Sequence, residues 1–421
     1  MKRFALILLI LLLFLAIFPG TSKAQEAISA SYDTNIEFPT SLTFSLNTES
    51  SVDITQIILR YKIDRTTTIS VTTEVEPQFD TAPVVKTSWQ WSVSSVSLPP
   101  GAEIQYSWKI ADSAGHELET PWQTVQFNDN RYQWKSLSEG KITLFWYKGD
   151  QSFAQELLDS ASLALEKLAQ DTGAHLEQAV DIYIYASSKD LLGALVYPQE
   201  WTGGVTFTEY GIIVIGIAPD NLAWGKGAMT HELAHLVTYQ MTSNPYSDIP
   251  TWLNEGLSMY AEGLLDPTFV SLLDKAISED KLFSVQTLSS SFPADPQEAR
   301  LSYAESYSLI QFLIQHYGQE KMLRLLSTFK QGSTYENALE KVYGFDTTGL
   351  DNLWRPSLGL EPRQATPTPQ ATPTPKTSFL GCREASAKTA HNGVAGLGAL
   401  GILMLPVLGE AIRLRARRGK R

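Results

Sequence analysis

The chain has a single cysteine, Cys382, among its 421 residues, so no disulfide within the chain can hold the fold together. A lone thiol is silent about export, because export does not require disulfides. Basic residues are in deficit: 33 Lys and Arg stand against 45 Asp and Glu, a formal net charge of −12. That balance argues against nucleic acid as a partner, because a phosphate backbone calls for basic patches. Histidine is rare as well, six in all, so two in one short stretch stand out. Long hydrophobic runs are missing from the body of the chain and occur only at its two ends.

Those ends come first. Met1-Lys2-Arg3 form a short basic region, Phe4 to Phe18 is an unbroken apolar run, and Ser22-Lys23-Ala24 follows as a small-residue pattern. This is the order of a secretory signal peptide over 1–24, cleaved after Ala24, with a run short for a membrane span. At the other end, residues 393–412 (GVAGLGALGILMLPVLGEAI) carry one charge, Glu410, and are followed by the basic tail 413–421, RLRARRGKR. An apolar span before an arginine cluster reads as a transmembrane anchor with a cytoplasmic tail. The expected location is the cell membrane, single-pass, with the body extracellular. Residues 356–392 hold the near-repeat ATPTPQATPTP, which cannot build a core and reads as an extended, polyproline-like stalk. Cys382 falls in this stalk and is read as incidental.

The body divides by pattern. Residues 26–130 are rich in Ser, Thr and Val. The segments ITQIILRYKI, TISVTTEVEP, KTSWQWSVSS, EIQYSWKIAD and WQTVQFND read as short strands separated by turns such as Pro99-Pro100-Gly101. The expectation is an antiparallel β-sandwich of immunoglobulin or fibronectin type, serving as a spacer or recognition module. His116 sits in a turn of this stretch and is expected to be solvated. From 132 to 355 the period changes. Strand patterns in KITLFWY, VDIYIY and 204–216 precede helical patterns at 225–241, 250–263, 267–277, 298–317, 319–330 and 333–343. A mixed sheet followed mostly by helices is an α+β domain.

One helical segment, 229-MTHELAHLVTYQM-241, carries the chemistry. His231 and His235 are four apart and project from one helix face, where two imidazoles can share one Zn²⁺. Glu232 lies beside the first histidine, where a carboxylate can act as general base on a water without being a ligand. An amphipathic helix with two buried, hydrogen-bonded histidines is the plainer explanation of the same five residues. A third ligand would separate the two. The three-histidine arrangement HExxHxxGxxH is excluded, because Thr238 and Met241 stand where it needs Gly and His. A glutamate from a following helix is available in 250-PTWLNEGLSMYAEG-263, where Glu255 falls 20 residues after His235. Gly256 beside it would let two helices approach closely.

HELAH followed by WLNEG resembles the gluzincin zinc metallopeptidases, and with YAESYSLIQFLIQHYG downstream the stretch from about 135 to 355 resembles their peptidase MA-like domains. The resemblance implies a thermolysin-like α+β fold. It further implies His231, His235 and Glu255 as Zn²⁺ ligands and Glu232 as catalytic base. It also implies a tyrosine that stabilises the oxyanion, for which Tyr303 comes first and Tyr307 second, and an edge strand within 203–214 that pairs with substrate backbone. The aspartate that thermolysin-like members carry four residues after the ligand glutamate is Met259 here. Glu262, on the same face as Glu255, could hold a ligand histidine, but a solvated carboxylate at a helix end is the plainer expectation. His316 is expected to be structural.

The function expected is therefore a membrane-anchored, extracellular zinc metallopeptidase acting on a peptide or protein substrate. The absence of an aminopeptidase motif such as GxMEN leans the expectation towards endopeptidase. The alternative is a non-catalytic surface binding or adhesion protein on a peptidase-like scaffold. The filled Glu232 position speaks for the enzyme.

Overall fold

The computed structural model describes residues 27–65, 70–95, 97–196, 202–363 and 402–404. The expected signal peptide, most of the stalk and the basic tail lie outside the described residues. So does the expected anchor, apart from Ile402–Met404. Contacts divide the chain into two compact units, the first built from residues up to Asp64, Ser70–Ser95 and Glu103–Gln126, the second from Arg65–Ile69, Val96–Ala102 and Phe127 onward.

The first unit is β-sandwich-like, as the alternating sequence predicts. Its spine is β2 (Ser41–Ile63), which is long enough to serve two sets of partners. Its first half lies between β1 (Ile28–Glu37) and β4 (Ala82–Ser92), antiparallel to both. The register shifts after Glu49, and the second half pairs with β5 (Ala102–Asp112) and with β3 (Thr73–Val75). β6 (Glu117–Glu119) and β7 (Gln123–Phe127) complete the seven strands on β5. Side chains alternate across a strand, so Leu42, Phe44 and Leu46 all face the core. Phe44 meets Tyr106 at 5.1 Å and Tyr61 meets Trp91 at 4.9 Å, an aromatic interior. His116 is half-exposed, its Nδ1 2.9 Å from Asp112.

The second unit is a mixed sheet backed by helices, in strand order β13-β11-β12-β10-β9-β8. β8 (Lys135–Glu139) and β9 (Ile142–Trp146) form a hairpin. α1 (Gln151–Thr172) then crosses over, and β10 (Val180–Tyr185) returns parallel to β9. The ends of α1 are written in its caps: Asp150 accepts from the Phe153 amide, and Gly173 closes the helix at φ +75°. After the short α2 (Ser188–Leu192), β11 (Thr202–Phe207) and β12 (Ile212–Gly216) form an antiparallel pair, and β12 is parallel to β10. β13 (Ile402–Met404) lies antiparallel to β11. These three residues of the expected anchor are therefore extended, not helical, their backbone groups pairing with the free edge of β11. Among the described residues no helix is long and apolar enough to cross a membrane.

Helices fill the rest. α3 (Leu222–Thr242) is buried almost all round from Ala228 to Thr242, which makes it a central helix rather than a surface one. α4 (Thr251–Glu262) begins directly after Pro250. α5 (Pro267–Ser278) and α6 (Val285–Leu288) follow. α7 (Pro296–Lys330) starts on an Asp295 cap and breaks at Gly318, where φ is +79°. This is the boundary that the sequence places between its two helical patterns. α8 (Tyr335–Tyr343) and α9 (Thr347–Ser357) close the body. The last described stretch of the body is pinned by two arginines. Buried Arg355 donates to Asp280 at 2.6 Å and to the Glu361 carbonyl at 2.8 Å. Arg363 donates to Asp351 at 2.6 Å and to the Leu282 carbonyl at 2.7 Å.

Candidate metal centre

α3 places His231 and His235 one turn apart, and their rings lie 4.7 Å apart at 81°. Both are buried. α4 brings Glu255 against them: its Oε2 is 3.4 Å from Nε2 of each histidine. One ligand atom from each of the three residues lies within 4.8 Å of the others. Gly256 permits this approach. A Cβ there would stand 2.5 Å from the Ser306 carbonyl of α7, a contact no side chain tolerates. α4 can thus lie flat on α7 while its opposite side presents Glu255 to α3.

The outer ring nitrogens are held separately. Nδ1 of His231 lies 2.6 Å from Glu262 Oε1, so Glu262 is not the solvated helix-end carboxylate that the sequence favours. The α4 face that carries Glu255 comes round again at Glu262 and reaches the far side of the same imidazole. Nδ1 of His235 is 3.1 Å from Asn254 Oδ1 and 3.0 Å from Ser258 Oγ. A carboxylate oxygen accepts, and so does the Ser258 hydroxyl, whose own proton goes to the Asn254 carbonyl. Both Nδ1–H groups are therefore bonded away from Glu255, and both Nε2 atoms face it.

Glu232 is fully buried. Its Oε2 accepts a short hydrogen bond from the hydroxyl of Thr206 on β11. Its Oε1 is buried without a hydrogen-bond partner, as are His231 Nε2 and Glu255 Oε2. Three orphaned polar atoms in one interior spot are costly unless something occupies the space between them. The electrostatics agree. Burial would raise the Glu255 carboxyl, yet the two imidazoles hold it well below the usual carboxylate range. Burial would lower His231, yet Glu255 and Glu262 raise it. Both shifts say that this point in the interior favours positive charge, which a divalent cation supplies. Two imidazole nitrogens and one carboxylate oxygen are the donor set of an open zinc site.

The two candidate tyrosines separate. Tyr303 lies 6.4 Å, ring to ring, from His231. Its hydroxyl is pushed far up by burial and then by the charges of Glu255, Glu232 and Glu262. Tyr307 packs with Met259, Phe269 and Ala304, and burial alone raises it. Sequence reasoning did not find Thr206, Asn254 or Ser258. Asn254 and Ser258 flank Glu255 at helical spacing. Thr206 shares a strand face with Gly204, which alternation along β11 could have shown. His316 caps its own helix, its Nδ1 2.9 Å from the Phe312 carbonyl, a structural role as expected.

Residues 160–359 match the model of the Peptidase MA superfamily. The match, with the side-chain geometry, supports a gluzincin-type metallopeptidase-like domain in this half of the chain. All three atoms of the candidate metal centre, and Glu232, lie within that match. No curated protein matches the chain. Among solved structures, an M1 zinc metallopeptidase from Deinococcus radiodurans is similar at 12% identity, with 82% of this chain and 97% of that chain covered and a TM-score of 0.30. An aminopeptidase N family protein from Idiomarina loihiensis is similar at 10% identity, with 76% and 75% covered and a TM-score of 0.37. Both overlaps are loose, and the identification of the peptidase MA domain rests on the family model and the side-chain geometry.

Proposed function

We propose that this chain is a zinc-dependent peptidase that hydrolyses peptide bonds in a peptide or protein substrate. The observation that carries the proposal is the convergence of His231, His235 and Glu255 in the interior, with Glu232 beside them. His231 Nε2, His235 Nε2 and Glu255 would hold the ion. When bound, Zn²⁺ would supply Lewis-acid polarisation of the scissile carbonyl and of the attacking water.

The chain's own residues do the rest. Glu262 and the Asn254–Ser258 pair keep both imidazoles in the tautomer that offers Nε2. Glu232 takes the proton of the attacking water on its unpartnered Oε1 and returns it to the leaving amine. Tyr303, kept protonated by burial and by the three carboxylates, donates its phenolic hydrogen to the oxygen on which negative charge develops. The N-terminal apolar run, followed by Ser22-Lys23-Ala24, supports a body exported from the cell.

The test is a metal and activity assay on the purified chain. One zinc per chain, chelator-sensitive cleavage of a peptide library and loss of cleavage in Glu232→Gln with zinc retained are expected. A chain that binds no zinc, or a Glu232→Gln variant that cleaves at the wild-type rate, ends the proposal.

A further inference from the structure

We infer that Thr206 on β11 is a positioning residue for Glu232, dividing the two oxygens of that carboxylate between a structural and a chemical task. The catalytic part of the inference rests on the peptidase reading above; the positioning part does not. Three observations carry it. Thr206 is buried, and its hydroxyl lies against Glu232 Oε2, with the Glu232 carbonyl at 3.1 Å as a second, longer acceptor. The other oxygen, Oε1, is equally buried and has no hydrogen-bond partner. Gly204, two residues back on the same strand face, stands directly against that free side. A Cβ at 204 would lie 3.0 Å from Oε1, 3.2 Å from Cγ and 3.3 Å from Cδ.

The physical argument follows from the length of the side chain. A glutamate has three rotatable bonds, and a buried carboxylate next to two imidazoles would swing towards whichever cation or proton is nearest. A base that wanders by about 1 Å loses on the order of 100-fold in rate. The bond to Thr206 fixes Oε2 at the sheet. Oε1 is then the one acceptor left for a water proton, and the bare Cα of Gly204 leaves it room. β11 thus contributes a hydroxyl and a gap, neither of which the HExxH motif contains.

The experiment compares wild type with Thr206→Val, which keeps the shape and removes the hydroxyl, and Thr206→Ser, which keeps the hydroxyl. Three readouts are taken on the full chain: zinc content, kcat and KM on a quenched peptide pool, and the infrared carboxylate band that Glu232→Gln removes. Thr206→Val should keep its zinc and its KM and lose kcat by about 10- to 100-fold. Thr206→Ser should recover kcat to within a few-fold of wild type. The Glu232 band should shift in Thr206→Val and stay in place in Thr206→Ser. An unmoved band, an unchanged kcat, or a loss of kcat that follows loss of zinc each overturns the inference. A wild-type chain that cleaves nothing while the band shifts in Thr206→Val supports the positioning role and removes the peptidase reading. A Gly204→Ala variant that folds should shift the same band; an unmoved band there overturns the assignment of Oε1 to the gap.

Discussion

His231 can offer Nε2 because its other nitrogen is tied to Glu262 at 2.6 Å. Removing the charge while keeping the shape, as in Glu262→Gln, should weaken zinc binding by roughly 10- to 100-fold and leave the fold intact, as titration against a competing chelator would show. A variant with wild-type affinity would make Glu262 a bystander. At this scale the sequence was read well where chemistry is concentrated in adjacent positions. His231, Glu232, His235 and Glu255 stand in two short motifs at helical spacing, and the geometry brings all four together. Glu262 was on the correct face, but face alone cannot tell a bonded carboxylate from a solvated one. Tyr303 and Tyr307 share a helix face, and the nearness of Tyr303 to His231, which Tyr307 does not share, separates them only in the folded structure. Alternation puts Thr206 on the face of Gly204, but the sequence does not say that this face meets Glu232.

At the scale of elements, the closeness of α4 and α7 is set by one missing side chain. Gly256→Ala would press a methyl against the Ser306 carbonyl, 2.5 Å away, and against Ile310 Cγ1 at 2.7 Å. Backbone cannot yield as a flexible side chain can, so α4 must lift. The expected cost is roughly 1–3 kcal/mol of stability, with weaker zinc binding besides, measured by urea unfolding and metal titration. Full stability in Gly256→Ala would mean that the helices have slack. Helices were legible from sequence because their apolar period repeats over many residues; α3, α4 and the break at Gly318 fall close to where the pattern puts them. Strand β1 left little trace, because only Ile28 of its ten residues is buried. The first half of β2 was hidden for another reason: it continues without a turn into the segment ITQIILRYKI, and chain length alone does not show a strand serving two sets of partners. α9 was missed because Pro356 inside it argues against a helix.

At the scale of the molecule, stability is linked to pH through a group remote from the metal centre. Glu305 of α7 is buried and accepts the Phe283 amide through both oxygens at 3.1 Å. Burial pushes its carboxyl up to about 8, against a usual value of 4.5, with the Phe283 bond and Arg363 acting in the opposite direction. Between those two values the unfolded chain has released the proton and the folded chain still holds it. Stability therefore falls as pH rises through that window and levels off above it. The slope is at most roughly 1.4 kcal/mol per pH unit. Glu305→Gln should flatten this slope in urea unfolding series at pH 5, 6, 7 and 8. Parallel curves for variant and wild type would show that Glu305 does not hold its proton.

The two arginines at the end of the body have a mechanical consequence. A pull on the chain between residues 363 and 402 enters the helical part of the body at residue 363. Arg363 passes that load to Asp351 on α9 and to the carbonyl of Leu282, and Arg355 ties Glu361 and Asp280 into the same joint. None of these partners lies on α3 or α4. Load taken up by this joint reaches α9 and the turn at 280–282 before it reaches the two helices that position His231, His235 and Glu255.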